Sequence, residues 1–406
     1  MKTIGIDLRT LQSDSQYRGI GEVTKQITTN LLKLIEEQEK TADYAFNFYV
    51  DAYQKNEDPK RYLDIPESIS WKEYIVNEEQ FEKSFSSKIK KYITSQKIAN
   101  SEKSDVFLQF DFKYGVPTDT KTVLVEYDLI PLLFWDRYYP TFISKKTNAL
   151  VKFFMNNFVF SSFFKKVYKH KRRRVLLEAK KIISISETTK NDIIQHLKIK
   201  SEKIRSIYLG IGENTDVLSK KAENEKLPKK PYLFFVGGTD GRREIDRLVT
   251  AFEKLREAGH DIQLVLAGSH FRSIDTIEED KIKNAIQTSQ HKKDILLLGF
   301  VSNGFKKELF ENSIAFIFPS LYEGFGLPVL EALYNSASVI AYDNSAIKEI
   351  GKDFIYYTSS KTMLQDISDF ITTSQEKKIR LEQEKYIAKF RWKLTTQQYL
   401  KEIEKL

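Results

Sequence analysis

The pattern of this chain predicts an α/β protein made of two doubly wound halves, each on its own parallel sheet, and three observations predict it. Its 406 residues exceed one ordinary domain and suit two, each able to bury a core. Short apolar or β-branched runs alternate with amphipathic stretches from end to end, as parallel strands covered by helices on both faces require. That alternation breaks once, at the polar, lysine-rich "DVLSKKAENEKLPKK", and then restarts. The expected layout is therefore a first domain over 1–215, a linker over 216–230 and a second domain from 231.

The elements follow in order. "MKTIGIDLRTL" reads as a buried first strand rather than a leader, and "GEVTKQITTNLLKLIEEQEK" as an amphipathic helix after it. "FNFYVDAY", "DVFLQF", "TVLVEYDL", "KIISIS" and "KIRSIYLG" are strand-like runs, most of them ending in turn or cap residues. Past the linker come "YLFFVGG", the helix "EIDRLVTAFEKLREAG", "IQLVLAGS", a helix near 276–289, "ILLLGFV", "KKELFENS" and "IAFIFPS". A helix after Pro328 and the runs "SVIAYDN" and "FIYYT" complete the series. Sheets of this kind bind ligands at the carboxyl ends of their strands, so a cleft lined by those ends is expected.

Composition narrows the chemistry. With 41% hydrophobic and 30% charged residues the chain has a globular composition, and no apolar run reaches the ~20 residues that span a bilayer. Cysteine is absent, which excludes disulfides, thiolate catalysis and zinc–cysteine sites and favours a cytoplasmic location. The net charge is +9, and it is concentrated. Residues 145–181, "KKTNALVKFFMNNFVFSSFFKKVYKHKRRRVLLEAKK", hold one acid, Glu178, among many Lys and Arg around a Phe-rich middle. Such a block suits an anionic membrane surface, peripheral on the inner face of the plasma membrane; the alternative is an aromatic face packed inside with a solvated basic side. No nucleic-acid module accompanies the charge.

The stretch "FPSLYEGFGLPVLEAL" at 318–333 carries the densest chemistry. Pro328 suits a helix start, and Gly324 and Gly326 free the backbone just ahead, so amide N–H groups can face an anion together. Glu323 before the glycines and Glu331 one turn into the helix can face the same volume, and carboxylates accept hydrogen bonds from vicinal sugar hydroxyls. Phosphate between two sugar-reading carboxylates outlines a nucleotide sugar; a capped surface helix accounts for the fragment equally well. In "FVGGTDGRRE", Arg242 and Arg243 stand at a helix start, where cations oppose the helix dipole and so favour a functional role.

"SLYEGFGLPVLEAL" resembles the E-x7-E region of the retaining glycosyltransferases of family 4, of the bacterial surface-polysaccharide type. The likeness runs through "GIDLRTL", "RGIGEVTKQITTNLL", "YDLIPLLFWDRYYP", "KKIISISETTKNDIIQHLKIKSEKIRSIYLGIG", "FFVGGTDGRREIDRLVTAFEKL" and "LLGFVSNGFKKELFENSIAFIFPS" in the family's order. The resemblance implies the GT-B fold, two Rossmann-like domains. It also implies that 231–385 binds the nucleotide sugar and that 386–406, containing "FRWKLTTQQYLKEIEKL", returns to the N-terminal, acceptor-binding domain.

By that resemblance Glu331 holds the ribose hydroxyls and Glu323 those of the donor sugar. The amides of Gly324, Phe325, Gly326 and Leu327 meet sugar and phosphate, and Gly19 and Gly21 line a loop near the diphosphate. Arg243 fits the place of the family's phosphate-binding lysine, with Arg242 beside it, while Gly238 stands where the family has an arginine. The segment is thus one cation short unless Arg242 makes up the difference. The family's histidine before the aspartate is Tyr127 here, so Tyr127 and Asp128 are expected to meet the acceptor. Asp128 otherwise caps the following turn. His270, in "AGSH", lies where the family receives the base, an ordinary loop histidine being the alternative.

The implied reaction moves a hexose or deoxyhexose, with retention, from a nucleotide diphosphate sugar to a glycan, lipid-linked acceptor. The departing diphosphate takes the acceptor's proton, and Arg243, Glu323 and Asp128 act as the catalytic set. No cofactor and no metal are expected, since no His/Asp/Glu spacing suggests a metal site. Two other readings stay open. One is a non-catalytic GT-B scaffold or partner subunit at the membrane, which the two departures favour; the other is a nucleotide-sugar epimerase or hydrolase.

Overall fold

The computed structural model describes residues 1–13, 19–51, 58–76, 101–117, 119–142, 158–212, 225–373 and 381–406. Parts of the expected linker and of the basic-aromatic block, 216–224 and 145–157, lie outside the described residues. The chain divides into two compact units, Met1–Gly210 with Arg391–Leu406, and Ile211–Phe390.

In the first unit, strands β1 (Lys2–Asp7), β2 (Tyr44–Asp51), β3 (Ser70–Val76), β4 (Val106–Gln109), β5 (Lys121–Glu126), β6 (Lys181–Ser184) and β7 (Ile204–Ser206) form one sheet in the order β3-β2-β1-β4-β5-β6-β7. Every neighbouring pair is parallel. β3 has no counterpart among the strands expected from the sequence. Its "SWKEYIV" sits at the sheet edge with mostly exposed or half-buried side chains, so it lacks the apolar run that marks the inner strands. Helix α1 (Gly19–Glu37) buries Val23, Ile27, Leu31, Leu34 and Ile35 at the three- and four-residue spacing of one face. Both Gly19 and Gly21 fall in its first turn rather than in a loop before it.

After β5 come α2 (Ile130–Leu133), α3 (Trp135–Phe142), the 21-residue α4 (Phe158–Glu178) and α5 (Glu187–Leu197). A cluster of Leu129, Leu132, Trp135, Tyr139, Tyr168, Val175 and Leu176 packs α2, α3 and α4 together. The C-terminal helix, Trp392–Glu404, lies on α1. It is tied down by Lys2 Nζ to the Ile403 carbonyl (2.9 Å), by Thr395 Oγ1 to the Tyr208 carbonyl (2.8 Å) and by Tyr44 to Glu404 (2.8 Å).

The second unit carries β8 (Tyr232–Val236), α6 (Ile245–Glu257), β9 (Gln263–Ala267), α7 (Asp280–Thr288), β10 (Ile295–Gly299), α8 (Asn303–Asn312) and β11 (Ala315–Phe318). It continues with α9 (Leu327–Tyr334), β12 (Val339–Tyr342), α10 (Ser345–Gly351), β13 (Tyr356–Thr358), α11 (Met363–Thr372) and α12 (Leu381–Ile387). The sheet order is β10-β9-β8-β11-β12-β13, again parallel throughout. Phe234, Phe235, Phe310, Phe316 and Phe318 fill its core with ring contacts 5.1–6.2 Å apart. The strand order reverses between β8 and β11, and open parallel sheets bind ligands at the carboxyl ends of strands flanking such a switch.

Candidate functional site

The loops leaving β8 and β11, the pair that flanks the switch, hold the charged residues of the second unit's site. After β8 the chain runs Gly237–Gly238 into a short 3₁₀ turn, Gly241–Arg243, capped by the Asp240 carboxylate on the Arg242 N–H (3.0 Å). β8 and β9 approach so closely here that a Cβ on Gly268 would lie 2.1 Å from the Gly237 carbonyl oxygen, which restricts position 268 to glycine.

Arg242 turns inward. It is 7% exposed and donates from Nη1 to Ser320 Oγ (3.0 Å), to the Tyr322 carbonyl (2.8 Å) and to Glu323 Oε1. Its own carbonyl accepts from the Leu321 N–H at 2.8 Å. The expectation that Arg242 serves as a second phosphate cation is therefore corrected. Its guanidinium is consumed in folding the 320–323 loop, because a buried charge of this kind needs an acid and carbonyls around it. Arg243 is partly exposed beside it, with Nε 3.4 Å from Glu323 Oε1 and Nη1 3.3 Å from the Gly238 carbonyl. Its guanidinium also stands 5.9 Å from the centre of the Phe318 ring.

Glu323 joins the two loops. Its Oε1 accepts from Arg242, from Arg243 and from Ser320 Oγ (2.9 Å), and its N–H donates to Ser345 Oγ (3.0 Å). Burial alone would push its carboxyl up. The charges of Arg242 and Arg243, with hydrogen bonds from Arg242 and Ser320, overcome that and hold it below the ordinary carboxylate range. These three donors all fall on Oε1, and Oε2 takes none of them.

Gly324 and Phe325 lead into α9. Phe325 is 3% exposed and packs on Phe390, so only its backbone is available to a ligand. Gly326 caps the helix at φ +93°, a conformation a side chain would strain, and Leu327 and Pro328 are the first two helical residues. Glu331, one turn in, forks onto Lys306 of α8, whose Nζ lies 2.9 Å from both carboxylate oxygens. Lys306 is not among the residues the sequence singles out. Its place in an ordinary amphipathic helix carries no local mark, and only the packing of α8 beside α9 brings it to Glu331.

In the first unit the run Glu126–Tyr127–Asp128 leaves β5 and is fixed at every residue. Arg172 of α4, 3% exposed, bonds through Nη2 to both Glu126 Oε1 and the Asp128 carbonyl, and through Nη1 to the Tyr168 hydroxyl (2.9 Å). Its guanidinium also lies 4.3 Å from the centre of the Phe112 ring. The Tyr127 carbonyl accepts from Thr189 Oγ1 (2.9 Å), and Asp128 Oδ1 accepts from the Ile130 N–H (2.8 Å), capping the turn that becomes α2. The Tyr127 hydroxyl is buried inside the unit, and burial pushes its pKa well above the ordinary phenol value. In this arrangement the Tyr127 hydroxyl is turned away from solvent, so the contact with the acceptor expected of Tyr127 does not run through it. Arg172 likewise is a buried clamp, although the sequence placed it in a basic surface block. Among the described residues, no group of three or more His, Asp or Glu side chains is arranged to hold a metal ion.

Comparison with known proteins gives the class first. Sucrose-phosphate synthase from Thermosynechococcus elongatus superposes with a TM-score of 0.69 over 100% of this chain and 99% of its own, at 14% identity. Anabaena Alr3699/HepE, solved with UDP-glucose, does so with a TM-score of 0.64 over 100% of both chains, at 12% identity. The fold is GT-B. Residues 216–386 match the family described as glycosyl transferases group 1, in agreement with the family resemblance carried by the motifs, so the second unit is a domain of that group. The serotype-specific mannosyltransferase WbdA of Escherichia coli is 22% identical over 381 residues, 85% of this chain and 40% of the relative. The O-antigen chain mannosyltransferase B of Escherichia coli is 25% identical over 183 residues, 43% of this chain and 46% of the relative. The chain thus spans less than half the length of these curated relatives.

Proposed function

We propose that this chain is a glycosyltransferase that moves a hexose or deoxyhexose from a nucleotide diphosphate sugar to a glycan acceptor during surface-polysaccharide synthesis. The observation that carries the reading is the meeting of Arg243, Glu323 and the N-terminus of α9 at the carboxyl ends of β8 and β11, with Glu331 one turn further on. A cation, a helix N-terminus and two carboxylates match the parts of a nucleotide sugar in order: pyrophosphate, hexose, ribose. The likeness to WbdA and to the O-antigen mannosyltransferase supports the polysaccharide context, and the UDP-glucose bound by HepE supports a nucleotide-sugar donor.

In this reading Arg243 and the amides of Gly324 to Leu327 stabilise the charge that gathers on the departing diphosphate. Glu323, held ionised by its arginines, accepts hydrogen bonds from the donor sugar through Oε2, and Glu331 accepts those of the ribose. Gly19 and Gly21 at the start of α1 and Asp128 at the end of β5 are the first unit's contribution, Asp128 orienting the acceptor hydroxyl. The acceptor's proton passes to the leaving phosphate oxygen as the new glycosidic bond forms on the face the phosphate leaves, which retains configuration. No step is assigned to a metal.

A lipid-linked acceptor and a membrane surface belong to the same proposal. On α4, Phe160 and Phe163 are 46% and 59% exposed, and Lys166, Lys169, His170 and Arg174 continue the exposed side. Two aromatics followed by cations suit an anionic bilayer surface.

The test is a melting-temperature panel with UDP, GDP and dTDP and their sugars, repeated on Glu331→Ala. One nucleotide family should stabilise the wild type, and the variant should bind it about tenfold more weakly or worse, with its own unliganded melting temperature little changed. Saturable binding that ignores Glu331 would remove its ribose role. The absence of any binding would favour a non-catalytic scaffold.

A further inference from the structure

Among the described residues of the second unit's site, Arg243 is the cation left to face a diphosphate, because Arg242 is buried against Glu323, Ser320 and Tyr322. Diphosphate recognition by a single, half-engaged guanidinium would be weak, and tight binding calls for another positive group facing the same place. Position 238 leads to it. A Cβ built on Gly238 would lie 3.4 Å from Arg243 Nη1 and 3.8 Å from His270 Nδ1, with His270 Cε1 at 4.0 Å. The open space that a side chain at 238 would fill is therefore flanked by a guanidinium on one side and an imidazole on the other. The two come from different crossover loops, one after β8 and one after β9, both at the carboxyl edge of the sheet.

His270 is held there. Its carbonyl accepts from Thr276 Oγ1 (2.8 Å), and Ser269 Oγ lies 3.3 Å from its Nδ1. Arg243 stands across Gly238 from it, Glu323 lies behind Arg243, and Arg272 and Asp275 follow it in its own loop. Asp275 is paired with Lys283 (3.6 Å) and Glu323 with the two arginines. Among the described residues no carboxylate forms an ion pair with His270, so the Gly238 gap beside its ring has no competing acid.

Resting on the nucleotide-sugar reading of this site, we propose that His270, in its imidazolium form, is the second cation of the diphosphate site, facing Arg243 across the space left by Gly238. A histidine ionises near pH 6.5 when unperturbed, and an anion beside it favours the charged form. Donor binding is then coupled to pH in a way that two arginines would not allow. Affinity is highest where His270 is protonated and declines as pH rises through its pKa in the complex. His270 contacts the ligand through charge and a hydrogen bond and transfers no proton in this role.

Calorimetric titration of the full chain with UDP-glucose, GDP-mannose and dTDP-glucose at about pH 5.5 and about pH 8 tests it. A diphosphate esterified at both ends keeps its charge across that range, so a pH effect reports the protein. Whichever donor binds should do so about tenfold more weakly at the higher pH. His270→Asn should bind weakly at both, flattening the dependence, and His270→Lys should bind tightly at both. Wild-type affinity and pH dependence in His270→Asn would overturn the proposal while leaving the nucleotide-sugar reading in place. No binding of any donor by the wild type at either pH would remove both. Glu331→Ala, run alongside, separates the cases: loss of binding there, with none in His270→Asn, refutes only the histidine.

Discussion

Each unit contains a buried arginine–glutamate pair at the carboxyl end of its sheet, and the two pairs behave oppositely. Arg172 with Glu126 in the first unit and Arg242 with Glu323 in the second share the same chemistry, and all four side chains are nearly inaccessible. Yet burial pushes the Glu126 carboxyl up despite Arg172, whereas the Glu323 carboxyl is held below the usual carboxylate range. The difference is the number of partners, to which the like charges of Asp128 and Asp111 near Glu126 add. Glu126 has one arginine, which also serves the Asp128 carbonyl and the Tyr168 hydroxyl, and its Oε2 is buried without a hydrogen-bond partner. Glu323 has two arginines and a serine on one oxygen. One shared cation does not offset the desolvation of a carboxylate, and two cations with a hydroxyl do. The first pair clamps a loop. The second keeps a negative charge ready in a site that the proposed chemistry requires to be charged.

The sharpest way to break this comparison is to remove each arginine. Arg242→Met should cost about 3–5 kcal/mol in denaturant unfolding, since it leaves a buried, ionised glutamate with only Arg243 and Ser320 to offset its lost hydration. Arg172→Met should cost less, about 2 kcal/mol, because Glu126 can take up a proton and escape its charge. Equal losses would mean that the two carboxylates do not differ in their tendency to ionise.

Acid titration of stability probes the same contrast with smaller effects. Glu323 has a folded pKa below its unfolded value, near 4.3 for an ordinary glutamate. Its contribution is present above that value and is lost as pH falls through the lower folded pKa. Glu126 is raised, so its contribution is full below the unfolded value and is lost as pH climbs through its higher folded pKa. Unfolding free energies measured across the acid range should therefore show Glu323→Gln flattening the fall toward low pH and Glu126→Gln flattening a loss on the other side. Slopes of one sign in both variants would contradict the assignment.

The smallest structural effect is expected on α4, where Arg172 faces in and its neighbours face out. Lys166→Glu with Lys169→Glu should change stability by no more than about 0.5 kcal/mol. The same pair should lower sedimentation with anionic liposomes several-fold in a salt-sensitive manner. Unchanged liposome binding would leave the exposed Phe160 and Phe163 without the role given to them.

Much of the architecture was legible in the residues, for reasons that are local. Inner parallel strands such as "LVLA" and "AFIF" are apolar on both faces, and α1 repeats its buried residues every three or four positions, so short windows reveal them. The edge strand β3 lacks that run and went unread. At the site, the glycine and proline before α9 announced a helix start because φ and the missing N–H act within one or two residues. Lys306, the placement of His270 beside Arg243 and the inward turn of the Tyr127 hydroxyl left no such trace. Each depends on which loop or helix packs alongside.

What the sequence determined by itself was the alternation of strands and helices and the positions of Glu323, Glu331 and the helix that begins between them. All of these follow from backbone preferences and hydrophobic periods within a few residues. Only the tertiary structure decided which arginines turn inward. Arg172 meets an acid 46 residues away and Arg242 one 81 residues away. A guanidinium enters the interior only where a distant carboxylate compensates its lost hydration. Its neighbours in the chain do not reveal that partner, and its burial is fixed only once the sheets have brought the two together.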